Sequence, residues 1–126
     1  MAAAQYDNLI SLVKQGIARS RSWAETGWPV TFGPGGVEVS SLQQALDLPE
    51  NFVYREEALD YWHTVEQMGR EAAACGEKAL TCLEKGDLNT AEDWVYQALF
   101  IERPCVQYSV TWRAIHKSVS AMLRAE

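Results

Sequence analysis

Apolar positions recur in steps of three and four over most of this chain, the spacing that keeps side chains on one face of a helix. The longest such stripe is Leu59, Trp62, Val65, Gly69, Ala72, Ala73, Gly76, Ala79, Leu80 and Leu83. Glu56, Glu57, Arg70, Glu71, Lys78 and Glu84 fall mostly off it. The pattern predicts a long helix that starts between Glu50 and Glu57 and reaches Lys85. Unbroken, that helix spans roughly 40 Å or more at its usual rise per residue. A break near Glu56 or a bend near Gly69 is therefore expected. The middle of the stripe is built from Gly69, Ala72, Ala73 and Gly76. Each Gly costs about 1 kcal/mol of helix propensity against Ala. Two of them on a packing face predict that a neighbouring helix, or a flat ligand, approaches the backbone there.

Gly86 supplies the permissive conformation that ends a helix, and Asp87 can cap the next one. Glu92 and Asp93 suit its positive first turns. The second arm repeats apolar residues at Leu88, Ala91, Trp94, Val95, Ala98 and Leu99, and Pro104 predicts its end near Arg103. A loop of about two residues forces the arms to lie antiparallel.

The stripe of the first helix, over residues 3–24, is Tyr6, Leu9, Ile10, Val13, Ile17 and Trp23, with Gly27 as its end. The grammar then changes. Residues 27–39 hold four of the eight Gly and two of the four Pro. Val30-Thr31-Phe32 and Val37-Glu38-Val39 alternate around Gly33-Pro34-Gly35-Gly36, a small β-hairpin signal. Two short strands alone are marginal, so they need a surface to lie on. Trp23, Trp28 and Phe32 are read as pins that hold this loop, or as the aromatic tips of a partner-binding loop. Ser41-Leu42-Gln43-Gln44 has the capping-box pattern and opens a short helix to about Leu48. After Pro104, Tyr108, Trp112, Ile115, Val119 and Met122 step by four and three. That narrow seam suits a helix nearly parallel to a neighbour in a bundle, or across a dimer. The expected fold is all-α: one domain over 1–126, an antiparallel four-helix bundle of two helical hairpins. A Gly/Pro-rich β-hairpin or loop is inserted at 27–40. The alternative is a pair of hairpins with steeper crossings.

The turn and second arm, from Gly86-Asp87 through Ala91 and Gln97-Ala98-Leu99 to Pro104, resemble the back half of a tetratricopeptide repeat. The likeness covers about thirty residues, 72–104, and implies a helical hairpin. Cys75 and Cys82 stand where that family prefers aromatics, Pro104 sits one position late, and the chain holds no second copy at the repeat period. The same spacing is similar to a hairpin of the HEPN family, whose RNA-cleaving members carry Arg and His four to six residues apart. Arg113 and His116 have two residues between them, so no nuclease activity is implied.

The net charge is −6, unevenly spread. Residues 47–93 hold twelve acids and four bases, whereas residues 94–126 hold four bases and two acids. An acidic hairpin argues against nucleic acid, which needs a basic face. No apolar stretch approaches a membrane span, and nothing resembles a signal peptide. Cys75 and Cys82 lie two helical turns apart, about 10 Å, too far for a disulfide. Free thiols without an export signal predict a cytoplasmic protein.

Chemistry is sparse. Asp60 and His63 share a helix face at the spacing that di-iron bundles use, but those need two such pairs and two more carboxylates. Cys105, at a helix start, is the thiol most open to acidification. No nucleophile motif, phosphate loop or dinucleotide fingerprint is present. No catalytic or metal residue is assigned, and any cofactor stays unknown. The expected function is a helical protein–protein interaction module, an accessory, adaptor or assembly factor. It is expected to self-associate as a homodimer, through the last helix or the small-residue face, and to bind a partner through Trp23, Trp28 and Phe32. The alternative is a ligand, cofactor or metal site within the bundle, lined by Trp62, His63, Gly69, Gly76, Trp94 and His116.

Overall fold

The computed structural model describes residues 2–125. In chain order these form α1 (Ala2–Ser22), β1 (Val30–Phe32), β2 (Val37–Val39), α2 (Leu42–Leu46), α3 (Arg55–Glu84), α4 (Leu88–Glu102) and α5 (Val106–Ala125). The chain is mostly helical, with one small antiparallel hairpin in which Val30 faces Val39 and Phe32 faces Val37.

α3 runs unbroken for 30 residues, about 45 Å. The turns that precede it lie outside the helix: the Phe52 amide donates to the Pro49 carbonyl and the Arg55 amide to that of Phe52. The helix is continuous through Glu56, the expected point of a break, and through Gly69. At the other end Gly86 adopts φ 77°, and the Asp87 side chain accepts from the Thr90 amide, so α4 starts where its cap allows. α2 is capped as its sequence predicts, with Ser41 accepting from the Gln44 amide and the Gln44 side chain from the Ser40 amide. It ends at Leu46, two residues before the expected end near Leu48. Arg55 closes its end by donating to the carbonyls of Leu46 and Leu48. α1 stops at Ser22, five residues before Gly27, so Trp23 lies in the turn after the helix.

The main pairings of the long helices are α3 with α1 and α4, and α5 with α4 and α1, while Trp112 of α5 also reaches Gly76 of α3. α1 runs opposite to α3, since the Tyr6 hydroxyl donates to the Gly86 carbonyl and Arg21 pairs with Glu77. α4 runs opposite to α5, since Glu92 near the start of one accepts from Ser120 near the end of the other. Two buried clusters result. Val13, Ile17, Ala72, Ala79, Val95, Trp112, Ile115 and Val119 fill the space among the four long helices. Phe32, Val39, Ala45, Ala58, Trp62, Val65 and Tyr108 form a second, aromatic-rich cluster that seats the strands and α2 against the N-terminal half of α3.

Both surfaces expected to serve self-association are used inside the chain. Tyr108, Trp112, Ile115 and Val119 of the α5 seam are buried. A Cβ on Gly69 would strike the Ser20 carbonyl of α1, and one on Gly76 would lie 2.5 Å from the Trp112 ring. Gly16 of α1 completes that fit, with Trp112 and Ile115 against it. The small residues therefore make room for α1 and an indole, not for a ligand.

Candidate functional site

The turn after α1 is held by its backbone. The Gly27 amide donates to Ser40 and the Leu42 amide to Ala24, tying the turn to the start of α2. Gly27 is pressed between Trp62 and the Tyr108 hydroxyl, where a Cβ would come within 2.7 Å of each. The Trp28 amide donates to that hydroxyl at 3.2 Å. These fixed points set the indole of Trp28 on the surface, 54% exposed.

Beneath it lies a buried polar chain. Trp112 Nε1 donates to Ser20 Oγ at 2.8 Å, and Ser20 Oγ donates to Glu102 Oε2 at 2.6 Å. Trp23 Nε1 approaches the other Glu102 oxygen at 3.4 Å. Glu102 is fully buried, and burial pushes its carboxyl up to about 7, although these hydrogen bonds pull the other way. The chain joins α1, α4 and α5 at one end of the core, and it orients Trp23, whose ring lies 4.8 Å from that of Tyr108.

Trp23, Gly27 and Trp28 line a cavity of about 380 Å³ together with Arg19 of α1 and Gln107, Val110 and Thr111 of α5. Two further cavities continue it. One of about 260 Å³ shares Arg19, Val110 and Thr111 and adds Leu12 and Ala114. The next, about 280 Å³, shares Leu12 and Ser118 and reaches Gln5 and Met122. Together they trace a groove along the seam between α1 and α5. One hydrogen bond crosses it, from Arg19 to the Thr111 hydroxyl at 3.0 Å. Val110 and Leu12 leave it partly in water, at 55% and 39% exposure.

Of the three residues read as a partner-binding loop, Trp28 and Trp23 meet in this groove. Phe32 does not: it is buried in the second cluster, edge-on to Tyr61. The alternation of its strand gives one apolar face, and that face turns inward. The residues read as a ligand site are dispersed. Trp62 is buried in the second cluster, with its indole N–H unpaired. His63 is exposed on α3. Trp94 lies under the Lys78 ammonium, and His116 lies between Glu92 and Tyr96 on the α4–α5 side. Gly69 and Gly76 are filled as described. Among the described residues no group of three His, Cys, Asp or Glu is placed to hold a metal ion. Cys105 is not acidified by its helix start: burial pushes its thiol up, and Tyr61 beside it is raised as well, first by burial and then by Tyr108 and Cys105. No described helix is long and apolar enough to cross a membrane.

Glu102 and the groove are the features that pattern reading passed over. The first had a signal: Leu88, Ala91, Val95, Ala98 and Glu102 form one stripe in steps of three and four, with the carboxylate as its last member. The groove had none, because it depends on how loosely two distant helices meet. Comparison with known proteins adds no relative: no family model, curated protein or solved structure matches the chain.

Proposed function

We propose that this chain is a helical protein–protein interaction module, an antiparallel four-helix bundle that docks a partner in the α1–α5 groove beneath Trp28. The observation that carries the reading is the row of three cavities along one seam, rimmed by half-exposed Trp28 and Val110. Exposed apolar surface of this kind marks interaction sites, and Trp is enriched among residues that anchor them. The tetratricopeptide-like hairpin of α3 and α4 is scaffold in this reading. The alternation of helix directions supports the bundle. Three cysteines without a disulfide among the described residues fit an accessory or adaptor role in the cytoplasm.

A second reading has one observation in its favour. The cavity under Trp28 is within the size range of small-molecule sites. A small ligand there would use Trp23, Trp28 and Arg19, not the dispersed set read from the sequence.

The test is a native pull-down from the host with the tagged chain and two variants, Trp28→Ala and Val110→Asp. Both are expected to keep their helical content and unfolding midpoint and to lose a stoichiometric protein partner. Equal recovery of that partner with both variants removes the groove from the account. A small molecule carried by the parent chain and lost in Trp28→Ala selects the second reading.

A further inference from the structure

Charge narrows what the groove accepts. α5 carries Arg113, Lys117 and Arg124 and no acid, and α1 carries three bases and one acid. The rest of the chain holds five bases and sixteen acids, so the net charge of −6 hides a basic pair of helices on an acidic body. On α1, Arg21 is paired with Glu77 on the α3 side, where Lys14 also lies. Arg19 lines the groove. On α5, Arg113 and Lys117 follow Val110 by three and seven residues, so they stand outside the cavities on the flank beyond the Val110 rim, where Arg113 donates to the Ser109 hydroxyl. No acidic side chain lines any of the three cavities.

We infer that the occupant is an acidic amphipathic helix of a partner protein, about four turns long. The inference rests on the groove being the docking surface. Between Gln5 and Arg19 the groove follows α1 for about 20 Å, which matches some fourteen residues of helix. Two antiparallel helices offer ridges and a furrow that a third helix fills with residues at steps of three, four and seven. Its apolar face meets Trp28, Val110 and Leu12, and its acidic flank meets Arg19, Arg113 and Lys117. A second copy docked groove to groove would oppose two basic faces. A nucleic acid needs a row of cations for its phosphates, and among the residues lining the three cavities Arg19 is the only one.

The test is selection from a displayed library of 18-residue helices against the intact chain. The apolar face is fixed as Leu and Phe, and every flanking position varies among Glu, Gln and Lys. Survivors are expected to carry at least three net negative charges. They should lose tenfold or more in affinity for Trp28→Ala and for the pair Arg19→Gln with Lys117→Gln. Raising salt from 0.05 to 0.5 M is expected to weaken them roughly tenfold, as screening requires. Neutral or basic survivors that still need Trp28 overturn the inference and leave the groove reading standing. Survivors indifferent to Trp28→Ala and Val110→Asp, or none at all, overturn both. Concentration-dependent dimerisation in sedimentation that Val110→Asp abolishes makes a second copy the occupant. Binding of labelled single-stranded or duplex DNA that the same variant abolishes makes it a nucleic acid. Either result overturns the inference.

Discussion

α1 has two neighbours and meets them in opposite ways. Against α3 it is pressed onto Gly69 and Gly76, so closely that Gly69 has a backbone carbonyl where a side chain would begin. Against α5 the same helix is close on its inner side, where Trp112 and Ile115 meet Gly16 and Trp112 donates to Ser20, but toward the surface it leaves a row of cavities crossed by the Arg19–Thr111 hydrogen bond. The difference lies in residue size. Gly69, Ala72, Ala73 and Gly76 let the α1 backbone and the Trp112 indole approach α3. Leu12, Arg19, Val110 and Thr111 hold the other seam apart at the surface. A helix can thus be anchored firmly along one side and keep a furrow along the other.

The largest effect expected is at the tight seam. Gly69→Ala gains about 1 kcal/mol of helix propensity and still destabilises the fold, by roughly 2 to 3 kcal/mol, because the obstacle is the Ser20 backbone. Gly76→Ala meets side chains, the Trp112 ring and Ile17, rather than backbone, so its loss is expected to be smaller, by about half. Urea midpoints of the two variants check the order. Equal midpoints, or a stabilised Gly69→Ala, would show that the seam is not as close as described.

An effect of similar size belongs to Glu102, which ties the two seams together through Ser20 and Trp112. Its folded pKa, about 7, lies above the ordinary carboxylate value near 4.3. The folded chain therefore holds this proton more tightly than the unfolded chain does. The stability it contributes is fully present below about pH 4.3, falls as pH rises, and is gone above about 7. The loss across that window is on the order of 3 kcal/mol. Glu102→Gln cannot titrate. The difference in unfolding free energy between parent and variant is expected to decline across the window and to level off above it. A difference that stays flat with pH would mean that Glu102 is not buried as a titrating acid.

These two sites also mark what sequence pattern conveys and what it omits. The small-residue stripe of α3 is legible because its spacing alone puts Gly69 and Gly76 on a packing face. Its filler is not, since Ile17, Ser20 and Trp112 come from elements far away in the chain. Gly16 was readable in the same terms, three residues after Val13 on the α1 stripe. Glu102 was readable as the last member of a buried stripe, but a formal charge count places it with solvated acids. Phe32 shows the converse: alternation assigns it a face, and only packing decides that the face is covered. The groove depends on the pairing of α1 with α5, about ninety residues apart, so local periodicity carries no trace of it. The α5 seam was legible as a seam, yet its steps fit a neighbour in the same chain and a neighbour in a dimer equally well.

The smallest stability effect is the sharpest check on the comparison. Ala114 is exposed and lines the cavity between Leu12 and Val110. Ala114→Leu adds three carbons toward α1, more than Gly69→Ala adds on the other side of the same helix. If one seam is tight and the other open, the larger addition is the harmless one. Its unfolding midpoint is expected within about 0.5 kcal/mol of the parent, as for surface changes that touch no buried group. The added side chain nevertheless fills part of the furrow, so affinity for a partner bound there is expected to fall about tenfold. A destabilisation near that of Gly69→Ala would close the furrow and make α1 equally packed on both sides. An unchanged midpoint with unchanged affinity would keep the furrow open and move the docking surface elsewhere.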